Sequence, residues 1–183
     1  IAAVTASDDS FDAHIRDTLS AGAGLCHQDV VEFCVREGPA RIRDLIEMGV
    51  RFTRSDDRRT YDLGREGGHS RRRILHAEDF TGKEIERALL QAVRAQPNVR
   101  LWENTMAIDL ISAGKLFGRW DMGCLGAYVL DIETGQIETI QSRATIIATG
   151  GAGKTYLYTS NPDVATGDGV AMAYRAGATI ANM

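Results

Sequence analysis

Two stretches of this 183-residue chain combine residue types and spacing that suit chemistry. The first, Ala148-Thr149-Gly150-Gly151-Ala152-Gly153-Lys154-Thr155, fits a relaxed phosphate-binding loop with Ala in place of the first glycine. Such a loop works when its backbone N–H groups and the N-terminus of a following helix surround a phosphate. The run Ala144-Thr145-Ile146-Ile147-Ala148 supplies the strand in front. Thr159-Ser160-Asn161-Pro162-Asp163 then leaves no room for the helix, and no apolar strand ending in Asp stands ready for Mg²⁺. The nucleotide-hydrolysing reading therefore fails. The second stretch is Gly167-Asp168-Gly169, ahead of a short helical pattern over residues 170–175. Flanking glycines let the backbone approach a ligand closely, and the helix N-terminus adds donors. Asp168 also suits plain helix capping, and the two roles are compatible. Thr149-Gly150-Gly151 has two readings as well. It is either bare backbone past which a ring or ribose slides at the carboxyl end of a strand, or only a tight strand-to-loop turn.

Cysteine and histidine offer no competing chemistry. Cys26, Cys34 and Cys124 include no CxxC pair and the four histidines are dispersed, so no metal site is expected. Cys26 and Cys34, eight apart, are expected on one buried helical face as small apolar residues. A net charge of −4, from 25 acidic and 21 basic side chains, argues against nucleic acid or an anionic membrane as a partner held by bulk attraction. No run approaches the roughly 18 apolar residues of a membrane span. With 44% apolar residues, the length suits one globular unit or slightly more.

The elements that must position these residues fall into two parts. Residues 1–98 read as mostly helical. Ser10 caps a helix bearing Phe11, Ile15 and Leu19, a second runs from Asp29 to Gly38-Pro39, and a third from Pro39 to Gly49. Residues 53–73 form a polar loop or a loosely paired hairpin. Thr81-Gly82-Lys83-Glu84 has capping-box spacing, with Asp79 and Thr81 as capping residues, and opens a helix that ends at Gln96-Pro97-Asn98. In residues 99–183 the period changes to two: residues 99–102 and 105–111 read as one bulged strand, and 126–132 and 137–141 as a hairpin. The run 144–148 reads as a strand buried on both faces. The opening Ile1-Ala2-Ala3-Val4 without an initiator Met, and the strand-like residues 178–183 at the close, read as cut ends of a longer protein.

Together, Ile147-Ala148-Thr149-Gly150-Gly151, Thr159-Ser160-Asn161-Pro162 and Thr166-Gly167-Asp168-Gly169-Val170-Ala171-Met172-Ala173 resemble the flavoproteins related to succinate dehydrogenase and fumarate reductase. Arg65-Glu66-Gly67-Gly68-His69-Ser70 and His76-Ala77-Glu78-Asp79-Phe80-Thr81-Gly82 narrow the resemblance to the aspartate-oxidising branch. Ile1-Ala2-Ala3-Val4 and Ala21-Gly22-Ala23-Gly24-Leu25-Cys26 agree with it. The resemblance implies an α/β fold: part of a Rossmann-like FAD-binding domain, with a helical N-terminal part and an inserted antiparallel β-hairpin. Residues 1–183 would be its inner portion, with the GxGxxG segment before them. The capping domain and the catalytic Arg and His also lie outside this chain on that reading, leaving the piece inactive alone. The implied cofactor is FAD, contacted by Asp168 and by Thr149, Gly150 and Gly151. The main chain at Met106 and Ala107 would pair with the adenine edge; without the resemblance these are ordinary strand residues.

The implied activity is oxidation of L-aspartate to iminoaspartate, with electrons passed to dioxygen or fumarate. It is the first step of quinolinate and NAD synthesis in the bacterial cytoplasm, with quinolinate synthase as a partner. The alternative is a succinate- or fumarate-type flavoprotein. Glu66 is the expected substrate-binding residue. Aspartate differs from succinate by one α-ammonium group, and the residue ahead of the paired glycines, typically apolar in the succinate and fumarate enzymes, is here a carboxylate. The plainer role is a surface Glu paired with Arg65 or Arg71. At least two of Arg71, Arg72 and Arg73 are read as solvated or structural, and His69 and His76 as hydrogen-bonded structural histidines.

Overall fold

The computed structural model describes residues 1–78 and 80–181, in two compact units, Ile1–Leu101 and the residues from Trp102 onward. In the first unit, Ser10 accepts the Ala13 amide and caps α1 (Phe11–Ala21), as the apolar spacing predicts. α1 packs on α2 (Gln28–Glu47). The expected break at Gly38-Pro39 is absent, and α2 runs through Pro39 as one helix. Proline forfeits one backbone hydrogen bond there. Val35 before it and Ile42 after it, seven apart on one face, are both buried, and that burial keeps the halves in line. α2 closes as expected at Gly49, whose φ of +98° lets its amide reach Ile46 while that of Val50 reaches Leu45. Cys34 lies one residue off the buried stripe of α2 and is exposed, and Cys26 lies outside any helix, so they share no buried face.

The polar stretch 53–73 is a loose ribbon. Arg54 bridges Tyr61, and β1 (Leu63–Gly64) pairs antiparallel with β2 (Ile74–Leu75), whose Ile74 also bridges Ala2. α3 (Thr81–Arg94) lacks the expected capping box because other partners take both side chains. Thr81 Oγ1 accepts the Ala77 amide; Glu84 accepts the Arg51 amide and pairs with Arg87. Asp79, the other expected capping residue, lies outside the described residues. The core joins Ala3, Ile42, Val50, Phe52, Leu75 and Ala88.

In the second unit, β3 (Thr105–Ser112), β4 (Cys124–Asp131) and β5 (Ile137–Gln141) form an antiparallel sheet in the order β3-β4-β5, including the predicted hairpin. β3 has register shifts between Ala107 and Asp109 and between Ile111 and Ser112. Residues 99–102, expected to continue β3, form no strand; Asn104, at φ +53°, turns the chain in front of it. α4 (Ala113–Phe117) follows β3 directly, and α5 (Asp168–Arg175) stops before Gly177, at φ +99°. The largest departure is residues 144–148. They are irregular and exposed, Ile146 at 91%, and pair with no described strand, the last paired residue before them being Gln141. Residues 178–181 are irregular too; Asn182 and Met183, the rest of the strand expected there, lie outside the described residues. Among the described residues no helix is long and apolar enough to cross a membrane.

Candidate functional site

In the second unit three turns meet. The Lys154 amide donates to the Ala165 carbonyl at 2.9 Å. A Cβ on Gly153 would collide with Thr159 and Asn161, and one on Gly169 with Ile147 and Thr149. These turns come together because those two positions carry no side chain. Beside Gly150 and Gly151 the space is open, so the chain presents a strip of bare backbone next to Thr149. Gly167, at φ +80°, leads into α5, whose first amides, on Asp168, Gly169 and Val170, have no helical acceptor. Asp168 is exposed and its carboxylate accepts the Thr166 hydroxyl at 2.8 Å. No side chain caps α5, so the capping role expected of Asp168 is not formed.

Met106 and Ala107 lie on β3, an edge strand. The Asn104 carbonyl accepts the Ile132 amide, so alternation turns the Met106 main chain toward β4 and the Ala107 N–H and C=O toward the open edge. At the far end of α5, Arg175 donates to the Ile108 carbonyl and to Asp109, each at 3.2 Å, tying the helix to β3. Only a 3₁₀ turn, Gly153–Thr155, follows the glycine loop, and Lys154 pairs with Asp163 at 2.8 Å. That geometry gives a phosphate loop neither its helix nor its free lysine.

In the first unit, Glu66 to Ser70 lie in the bend between β1 and β2. Glu66 is exposed, and among the described residues no ion pair joins its carboxylate to Arg65 or Arg71; the positive charge it attracts is the Ile1 ammonium, whose pKa it raises against the larger lowering by burial. Its loop sits on α1. Gly68, at φ +83°, passes so close that a Cβ there would lie 3.6 Å from that of Ala21. Ser70 donates its amide and its hydroxyl to Asp17 Oδ2, at 2.8 and 2.7 Å. The same oxygen accepts Arg73 Nη1 at 2.6 Å, while the rest of that guanidinium binds Asp9 bidentately at 2.7 and 2.8 Å. Burial opposes the charge of Asp17, but the bonds from Ser70 and Arg73 outweigh it and hold its pKa at about 2.

His69 Nδ1 lies 3.2 Å from Arg73 Nη1 and must accept, since arginine has only donors. His14 is buried with its ring centroid 5.6 Å from that of His69; burial, then Arg73 and His69, push its pKa down. His76 Nε2 lies 3.3 Å from Asp62. Of the arginine run, Arg71 and Arg72 are exposed and Arg73 is fully buried. Sequence reasoning assigned nothing to Asp9 or Asp17. They meet Arg73 across 64 and 56 residues, a distance over which no local pattern speaks.

A mixed fold that sets bare backbone beside a helix N-terminus, next to the edge strand of a sheet, suits a class of domain that holds an anionic nucleotide cofactor. The family model for the FAD binding domain matches residues 1–183, and the chain belongs to that family. It is 53% identical over 186 residues to L-aspartate oxidase 1 of Ralstonia nicotianae and 48% identical over 189 residues to L-aspartate oxidase of Pseudomonas aeruginosa. Both alignments cover all of this chain, which spans about a third of the length of these relatives, 34% and 35%. Among solved structures, quinol fumarate reductase FrdA of E. coli superposes with a TM-score of 0.85 at 31% identity, covering 95% of this chain and 28% of that one. A quinol-fumarate reductase with menaquinol gives 0.83 at 32% identity, covering 94% and 28%.

FAD is the cofactor of this family, and the residues present fit it. The outward N–H and C=O of Ala107 match the donor–acceptor edge of an adenine. The free amides at the start of α5 suit an anionic group, and the bare strip at Gly150-Gly151 admits a flat one.

Proposed function

We propose that the full-length protein oxidises L-aspartate to iminoaspartate, and that residues 1–183 are the inner portion of its FAD-binding domain. The observation that carries this reading is Glu66: an exposed carboxylate without a side-chain ion partner, on a loop anchored to α1. An α-ammonium group is what separates aspartate from succinate, and a carboxylate is its natural counter-charge. Once desolvated, such a pair supplies a few kcal/mol of discrimination, because leaving either charge unpaired costs about that much. Gly67 and Gly68 leave the loop without bulk, so a substrate can approach its backbone closely.

FAD, when bound, supplies the two-electron acceptor for the Cα–N unit. Ala107, with Met106 beside it, would hold the adenine edge through the main chain. Asp168 and the α5 amides would hold the polar middle, and Thr149-Gly150-Gly151 would pass against the cofactor. In balance, aspartate loses two electrons and two protons; fumarate gains them as succinate, or dioxygen as hydrogen peroxide. The same reading puts the enzyme in the bacterial cytoplasm at the first step of NAD synthesis, with quinolinate synthase taking its product.

The structural likeness to quinol fumarate reductases favours a second reading, a succinate- or fumarate-type flavoprotein. Anaerobic mixing of the full-length protein with L-aspartate separates the two. The first reading predicts loss of visible flavin absorbance on adding L-aspartate and its return on adding fumarate. Bleaching by succinate but not by aspartate would select the second.

A further inference from the structure

We propose that Asp17, fixed from behind by Arg73, is a positioning residue for substrate specificity: it seats the Glu66 loop on α1 through Ser70. This rests on the reading of Glu66 given above. His14, Asp17 and Ala21 stand at i, i+3 and i+7 on α1, a single face of the helix. The loop meets that face residue by residue. Gly68 lies against Ala21, His69 lies beside His14, and Ser70 gives both of its donors to Asp17.

Asp17 cannot yield, because Arg73 binds the same oxygen and is itself fully buried and held bidentately by Asp9. The Gly67-Gly68 pair is the most permissive backbone in the chain's polar ribbon. Untethered, it would sample many positions, and ordering it at each turnover would weaken substrate binding. The tether removes that cost in advance, so the carboxylate of Glu66 waits in one place. A substrate without an ammonium group gains nothing from that arrangement, and this separates specificity from folding.

The test uses Ser70→Ala, Asp17→Asn, Glu66→Gln and the double variant Glu66→Gln/Ser70→Ala in the full-length FAD-loaded protein. The readouts are KM and kcat for L-aspartate oxidation and for fumarate reduction, with a thermal unfolding midpoint for each variant. Losing one hydrogen bond to a charged anchor should raise KM for L-aspartate about fivefold in Ser70→Ala, and about tenfold or more in Asp17→Asn. KM for fumarate should move less than about twofold, and Ser70→Ala should add nothing further once Glu66 is Gln. Equal losses for both substrates, or penalties that simply add in the double variant, would overturn the positioning role. If Glu66→Gln alone leaves the L-aspartate KM unchanged, the reading of Glu66 fails first and the anchor's role fails with it.

Discussion

Each unit of the chain holds a three-membered charge network, and the two differ in burial. In the first, Arg73 stands between Asp9 and Asp17, whose side chains are 0% and 16% exposed. In the second, Asp109 stands between Lys115 at 3.0 Å and Arg175 at 3.2 Å, all three partly open to water, at 26%, 38% and 46%. A buried network tolerates one geometry only, because a missing partner strands a charge in a poor solvent. An open network is screened, and its members can exchange water for one another. The loop carrying Glu66 is therefore seated on a rigid support. The glycine turns of the second unit are held chiefly by glycine contacts and backbone bonds, with α5 tied to β3 through a network that can adjust.

Breaking the buried network should have the largest effect. Arg73→Ala leaves Asp9 without its partner and should cost about 3–5 kcal/mol, read from urea unfolding. A cost below about 1 kcal/mol would mean that water already reaches the network. Acid should sharpen the contrast next. Asp17 is held at about 2 against an ordinary 3.8, and Asp9 is also lowered, its burial being outweighed by the bonds from Arg73 and the Ser10 amide. Carboxylates depressed in the folded state stabilise it fully above the unfolded value and lose that contribution as pH falls through the folded one. The urea midpoint of the wild type should therefore converge on that of Asp17→Asn between pH 3.8 and about 2. A gap that stays constant over that window would contradict the assignment. The smallest effect is expected in the second network, where Asp109→Asn should cost under about 1 kcal/mol and lose even that in high salt. A cost equal to that of Arg73→Ala would erase the distinction between the units.

What could be read without coordinates follows the range of the forces involved. The Ser10 cap, the Gly49 stop, the β4–β5 hairpin and the α5 span are set by residues within a few positions of one another, and all were legible. The unbroken α2 was not, since Pro39 argues locally for a break and only Val35 and Ile42, packed elsewhere, decide against it. Residues 144–148 carry a strand pattern whose fulfilment depends on neighbouring strands, and a pattern cannot report whether neighbours are there. At the candidate site the motif positions Glu66, Asp168 and Thr149-Gly150-Gly151 stood out by residue type. The support beneath Glu66 did not, because Asp17, Ser70 and Arg73 are ordinary residues until folding brings them together.

The central claim is that Glu66 recognises an ammonium group, and ligand affinity tests it most directly. Dissociation constants of L-aspartate and succinate can be titrated by flavin absorbance on the full-length protein and on its Glu66→Gln variant. The account predicts that the variant binds L-aspartate at least about tenfold more weakly while its affinity for succinate holds or improves. Equal weakening for both ligands, or no change in either, would contradict it.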